Sequence, residues 1–226
     1  MRICYLGSEE RGTLLQGWAA SGVSVEAREP KTGPKTIESI YEEYLYIPGM
    51  LEVIVETERE GFDAVVMSCF ADPGLDAARE LVKIPVVGLG ESSLLVASML
   101  GHSISILTAL DSLVHPLHNL AQRVGVDDKV ISVRGIGISV ERIREGGDET
   151  YQRLHEIGRK TIKEDRADVL VMGCASLSFF ADRLQRDLHL PVVHPLRVAL
   201  KMAELLVSCK LTHSKRAYPV PPKTYV

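Results

Sequence analysis

The chain nearly repeats itself once, and that limits the folds open to it. Phe62-Asp63-Ala64-Val65-Val66-Met67-Ser68-Cys69 aligns with Ala167-Asp168-Val169-Leu170-Val171-Met172-Gly173-Cys174 at an offset of 105 residues. Asp, Met and Cys coincide, and every position between Asp and Met stays aliphatic. After one residue of slip, Ile84-Pro85-Val86-Val87 aligns with Leu190-Pro191-Val192-Val193, and the opening run 3–6 has its counterpart in 104–107. Any two buried parallel strands share aliphatic residues. The shared Asp, Cys and Pro-Val-Val need a further reason. A period this long exceeds a solenoid unit. It predicts two similar Rossmann-like α/β lobes with parallel sheets, related by a pseudo-two-fold axis, with an active site between them.

The rest of the pattern agrees. Short apolar runs at 2–6, 24–28, 63–68, 84–89, 103–107, 130–136, 168–173 and 191–194 read as strands. Apolar residues at helical spacing predict helices over 37–60, 76–83, 91–100, 115–124, 150–165, 178–188 and 198–208. Pro48-Gly49 predicts a break within the first of these. Strands alternating with helices predict parallel sheets covered on both faces. We expect an N-terminal lobe over 1–100, a second over 101–211, and an extended tail over 212–226, where Pro219, Pro221 and Pro222 oppose a helix. The last helix, 197–210, is expected to pack back onto the first lobe.

Composition excludes some function classes. The 226 residues are 46% hydrophobic and 25% charged, as in ordinary globular proteins, and the net charge of −4 is evenly mixed. No basic stripe marks a nucleic-acid surface, so none is expected as a partner. The apolar runs are too short to cross a bilayer, and the N-terminus has no signal-like apolar stretch. We therefore expect a cytoplasmic protein with a small-molecule substrate. The four cysteines, Cys4, Cys69, Cys174 and Cys209, form no CxxC pair. They are expected as free thiols in a reducing compartment. Cys4 and Cys209 have no partner in the repeat and read as core residues.

Cys69 and Cys174 differ because both follow buried strands. In open α/β sheets, ligands bind outside the carboxyl ends of the strands. Each cysteine precedes a loop and a helix, whose N–H groups and dipole favour a thiolate or an oxyanion. Two thiols approaching one ligand from opposite sides suit stereoinversion. One removes a proton from one face of a carbon, and the other delivers a proton to the opposite face. The ordinary thiol pKa of about 8.5 would need only modest lowering. The intermediate carbanion is held by donors to an adjacent carbonyl oxygen. That chemistry requires no cofactor and no metal. His115 and His118 lie three apart but lack a further ligand at matching spacing. Gly88-Leu89-Gly90-Glu91 lacks the third glycine of a dinucleotide fingerprint. Asp72, before Pro73-Gly74, reads as a turn residue that holds the Cys69 loop.

Ser68-Cys69-Phe70-Ala71-Asp72-Pro73-Gly74-Leu75 resembles the Cys-Phe-x-Asp-Pro-Gly-Leu motif of the hydantoin racemase branch of the aspartate/glutamate racemase superfamily. Gly33-Pro34-Lys35-Thr36, Pro48-Gly49-Met50-Leu51, Ile84–Glu91, Met172-Gly173-Cys174-Ala175 and Ser214-Lys215 extend the resemblance over nearly the whole chain. The resemblance implies a racemase of 5-substituted hydantoins, or of an allantoin-like ring, with Cys69 and Cys174 as catalytic thiols. It also implies a homo-oligomer. Loop N–H groups at Phe70, Ala71, Ala175 and Ser176 would hold ring oxygens. Thr108 and its first-lobe counterpart Ser8 would add hydroxyls; His194, at a strand end, either lines the pocket or tunes Cys174, or packs with a satisfied hydrogen bond. The chain departs from the family at Gly7-Ser8-Glu9, where many members carry Asn-Pro-Asn. It departs again at Ser176, where Gly is common, and at His194, where Asp is common. All three differences fall at strand ends. They leave other substrates open, including free aspartate or glutamate and a small diacid that is isomerised or decarboxylated. A non-catalytic two-lobed binding protein is the remaining alternative. Free carboxylates would call for more cationic groups at the strand ends than the sequence reading finds.

Overall fold

Aliphatic strands without polar alternation need cover on both faces, and the structure supplies it twice. The computed structural model describes residues 1–225. Strands β1 (Arg2–Leu6), β2 (Ser24–Arg28), β3 (Ala64–Val66) and β4 (Val86–Val87) form one sheet in the order β2-β1-β3-β4. Strands β5 (Ile104–Thr108), β6 (Val130–Gly135), β7 (Val169–Met172) and β8 (Val192–Val193) form a second in the order β6-β5-β7-β8. Every pairing is parallel. Val65 pairs with Val86, and its repeat counterpart Leu170 pairs with Val192. The one-residue slip in the repeat is thus confined to the connection between those strands.

The helices are α1 (Glu9–Trp18), α2 (Ile40–Arg59), α3 (Leu75–Leu81), α4 (Leu89–Leu100), α5 (Val114–Val124), α6 (Val140–Glu145), α7 (Asp148–Lys160), α8 (Ala181–Leu188) and α9 (Pro195–Ser208). A π turn at Thr161–Asp165 extends α7. Three features differ from the sequence expectation. First, α1 and α6 are additional. Ser8-Glu9-Glu10 puts acidic residues in the first turn of α1, a usable start signal. However, the inward face of α1 is only partly apolar: buried Arg11 and Gly12 share it with Leu15. Second, α2 is unbroken although Pro48 lies inside it. Tyr46, Met50, Val53 and Ile54 bury its inner face while Pro48 stays exposed, so packing outweighs the lost hydrogen bond. Third, the stretch expected as a helix over 178–188 opens as a 3-10 turn, Ala175–Phe180, before α8.

Strand alternation divides the core into three clusters. Ile3, Tyr5, Ala64 and Val66 point inward together with Ile104, Ile106, Val169 and Val171. They share one apolar cluster with Leu94 and Ala97 of α4 and with Leu196, Ala199, Leu200 and Ala203 of α9. The alternate residues of the first sheet, Cys4, Leu6, Val65 and Met67, pack under α2. Those of the second, Leu107, Leu170 and Met172, pack with Leu154 and Ile157 of α7. The central cluster belongs to both sheets, so the two halves are fixed against each other. Cys4 is a core residue as expected, whereas Cys209 is exposed just past the end of α9.

The chain beyond α9 forms neither helix nor strand through Tyr225 and is tethered to the first sheet. Lys215 Nζ donates to the carbonyls of Arg79, Glu80 and Val82 at 2.6, 3.0 and 2.7 Å. These are orphan acceptors at the end of α3, a site where a cation is favoured. No helix among the described residues is long and apolar enough to cross a membrane.

Two glycines separate close packing from chain flexibility. A Cβ at Gly90 would lie 2.1 Å from the Phe70 carbonyl oxygen and 2.4 Å from Leu120 Cδ2. At Gly17 it would meet nothing within 4 Å. Gly90→Ala is expected to cost about 2 kcal/mol, and Gly17→Ala to gain about 0.5 kcal/mol. Urea unfolding of the two variants tests both values.

Candidate active site

The loops that follow β3 and β7 meet at one cavity, with about 90 Å³ of room for the centres of water-sized molecules. Ser68, Cys69, Phe70 and Ala71 wall one side, and Gly173, Cys174, Ala175 and Ser176 the other. Both cysteines are partly exposed there as free thiols. Glu43 and Tyr46 reach in from α2, and Leu113, Leu117, Val140 and Arg144 from the second half. Residues 34–37, between β2 and α2, cross over the top. This crossing is pinned to the second half. Val140 N donates to Glu38 Oε1 at 2.6 Å, Ser112 Oγ to the Glu38 carbonyl at 3.1 Å, and Arg144 Nη2 to the Lys35 carbonyl at 3.3 Å.

The Cys69 loop is held by a buried carboxylate. Asp72, in the left-handed region at φ 53°, accepts from Gly90 N at 3.1 Å and from Glu91 N at 2.7 Å. These are orphan donors at the start of α4. A Cβ on Gly88 would fall 2.3 Å from Asp72 Oδ2, so only glycine there admits the carboxylate. Burial pushes the Asp72 carboxyl up to about 7, against the two N–H donors and the nearby Arg79. Arg123 Nη2 donates to the Ala71 carbonyl at 3.1 Å and fixes the loop from the other half.

The electrostatics at Cys69 run opposite to the sequence expectation. Burial is the largest influence and raises its thiol pKa. Glu43, Asp72 and Cys174 push the same way through their charges. The single opposing contact is a hydrogen bond from the Ala71 backbone N–H. Helix α3 begins only at Leu75, six residues after Cys69, so its first turn does not directly follow the thiol. Glu43 is itself raised by burial, with Arg123 opposing, and its Oε1 is buried without a partner among the described residues. Tyr46 is pushed up to about 12 by burial, so it stays a neutral phenol, with its Oη 3.4 Å from Ser68 Oγ. On the other side, Cys174 directly precedes the 3-10 turn Ala175–Phe180, so its loop does start with helical N–H groups.

Of the residues selected from sequence, Cys69, Phe70, Ala71, Cys174, Ala175 and Ser176 line the cavity. Ser8, Thr108 and His194 are not among its lining residues. Ser8 occupies the N-cap position of α1 with extended backbone. Thr108 is fully buried and donates to the Gly173 carbonyl at 3.3 Å, supporting the Cys174 loop from behind. His194 caps α9 by accepting from Arg197 N at 3.4 Å, and its ring packs edge-on against Trp18. Burial, then the Arg197 charge, push the imidazole down to about 4, so it is a neutral packing residue. The sequence reading missed Arg11, Glu43, Tyr46 and Arg144. Arg11 is the most consequential of these. It is buried, and its Nη2 donates to Ser176 Oγ at 2.7 Å, joining the two halves. Gly12, whose Cβ would fall 2.6 Å from that of Ala27, lets α1 lie close enough on β2 to bring Arg11 there.

The comparisons with known proteins agree with one another. The sequence pattern of the Asp/Glu/Hydantoin racemase family matches residues 13–203. The hydantoin racemase of Pseudomonas sp. is 38% identical over 206 residues, covering 91% of this chain and 83% of that protein. The hydantoin racemase of Paenarthrobacter aurescens is 33% identical, covering 95% and 94%. Among solved structures, allantoin racemase from Klebsiella pneumoniae superposes with a TM-score of 0.95 at 30% identity, covering 100% of this chain and 96% of that one. Glutamate racemase from Francisella tularensis, at 15% identity and a TM-score of 0.68, shares the fold. With the repeat, the paired sheets and these likenesses together, the chain belongs to the Asp/Glu/Hydantoin racemase family, whose racemases are isomerases.

Proposed function

We propose that this protein racemises 5-substituted hydantoin-type rings by proton transfer between Cys69 and Cys174, without a cofactor. The observation that carries this reading is the convergence of the two repeat-related thiols on one cavity. The relatives that act on hydantoins and the solved structures of allantoin racemases support the ring as substrate. The small cavity supports a compact ring with a short substituent.

The chemistry follows from the groups present. A thiolate on one side takes the α-hydrogen as a proton, so the C–H bond breaks and an S–H bond forms. The electron pair passes into the neighbouring ring carbonyl as an enolate. N–H groups of the strand-end loops face that charge in a site of low dielectric, where fixed donors count most. The thiol on the opposite side then gives its proton to the other face of the carbon. At the end the two sulfurs have exchanged roles, ready for the opposite enantiomer. Because burial and Glu43 keep Cys69 protonated at rest, we assign it the donor role when the α-hydrogen faces Cys174. Phe70, Leu113 and Leu117 keep the site apolar around the reacting carbon.

Replacing either thiol should abolish turnover. Cys69→Ser and Cys174→Ser are each expected to lower kcat by at least about 10³-fold, the scale of a lost acid–base group. Polarimetry of 5-benzyl-, 5-isopropyl- and 5-methylthioethyl-hydantoin and of allantoin tests this. Near-normal activity in either variant would remove the mechanism.

The raised Cys69 thiol sets the direction of the pH dependence. The base form of Cys69 becomes more populated as pH rises, so kcat/KM for the enantiomer it deprotonates should rise with pH. That limb should still be climbing above the ordinary thiol pKa of about 8.5. A plateau reached near neutral pH would contradict the electrostatics described for Cys69.

A further inference from the structure

Two arginines are buried among the described residues, and they are treated differently. Arg79, at 5% exposure, forms an ion pair with Glu91 and also donates to the Val86 carbonyl and to Tyr218 Oη. Its charge is fully answered within the fold. Arg11, at 8% exposure, donates to the hydroxyl of Ser176 and has only further neutral groups beside it among the described residues, the buried Tyr5 phenol and the Phe179 ring 5.9 Å away. No described carboxylate lies within ion-pair distance of it. An arginine this buried is almost always paired. Leaving a charge in a low-dielectric site without a counter-charge is costly. The guanidinium carries five N–H donors, and Arg11 lines the cavity, so its unused donors are directed at whatever occupies that space.

The rest of the cavity is polarised in the same sense. Lys35 and Arg144 stand at the exposed rim. The only acidic side chain in the lining is Glu43, whose charge acts on Cys69 at the far side. Arg11 instead sits beside Ser176, two residues after Cys174. One wall therefore carries a carboxyl group, and the opposite wall carries a fixed cation with a hydroxyl beside it.

We propose that Arg11 receives a carboxylate carried on the substrate's 5-substituent, so that this enzyme's preferred substrates are acidic hydantoins with a short side chain. The inference rests on the racemase reading given above and names the substrate class for that site. A planar carboxylate matches the guanidinium fork bidentately. A neutral ureido or amide carbonyl would occupy the same donors but leave the buried charge uncompensated. A phosphate would bring more negative charge than one guanidinium answers and would crowd the small cavity.

The test compares 5-carboxymethylhydantoin with its near-isosteric amide, 5-carbamoylmethylhydantoin. For the wild-type enzyme, kcat/KM for the acid is expected to exceed that for the amide by about 10- to 100-fold, the scale of a charge-assisted pair in a dry site. Arg11→Gln should reduce that ratio to about one, and Arg11→Lys should fall between. Circular dichroism and melting of both variants report whether they fold, and the wild-type ratio is decisive without them. A wild-type ratio of one or below would overturn the proposal. So would an unchanged ratio in a folded Arg11→Gln enzyme, or stronger turnover of free aspartate than of either ring. Calorimetric binding of the acid to wild-type and Arg11→Gln protein separates this proposal from the reading beneath it. Arg11-dependent binding without racemisation would remove the racemase reading alone. Racemisation of the amide as fast as the acid would remove the acidic-substrate proposal alone.

Discussion

The site depends first on the hydrogen bonds from Gly90 N and Glu91 N to the buried carboxylate of Asp72. They tie the loop that bears Cys69 to the start of α4, and α4 packs in the central cluster shared by both sheets. A side chain at Gly88 or Gly90 would strike Asp72 or the Phe70 carbonyl, so the glycines and the aspartate act as one unit. The sequence segments Cys-Phe-Ala-Asp-Pro-Gly and Gly-Leu-Gly-Glu are thereby two halves of a single lock. Pairing a buried carboxylate with helix N-terminal donors satisfies both partners and leaves the thiol position rigid.

Opposing demands meet in the same small volume. In the proposed reaction the thiols change protonation during turnover, yet burial and the nearby Glu43 push Cys69 toward its neutral form. The other wall supplies a guanidinium and the N–H groups of the turn after Cys174, where an anion is favoured. The cavity is therefore asymmetric although its scaffold is a repeat. The asymmetry comes from residues outside the repeated strands: Arg11 on α1, Glu43 on α2 and the crossing segment 34–37.

That division also explains what the sequence could disclose. The paired sheets and the placement of Cys69 and Cys174 at strand ends were legible because they follow from an aliphatic repeat and its terminal residues. Helix α1 was not, because its buried face includes Arg11, and a charged residue reads as surface in any periodicity argument. The continuity of α2 through Pro48 was hidden because tertiary packing of its inner face overrides a local preference. Ser8, Thr108 and His194 occupy strand-end positions where a ligand-facing role is reasonable, yet they serve a helix start, a loop support and a helix cap. Sequence position locates the rim of such a site, whereas side-chain direction decides which rim residues look inward.

The central claim is that Cys69 and Cys174 act on opposite faces of one carbon. Exchange of the α-hydrogen in deuterated water, followed by proton NMR for each enantiomer separately, tests it most directly. In Cys174→Ser protein, Cys69 should exchange the hydrogen of one enantiomer only. In Cys69→Ser protein, Cys174 should exchange the hydrogen of the other enantiomer only. Exchange of the same enantiomer by both variants would contradict the account.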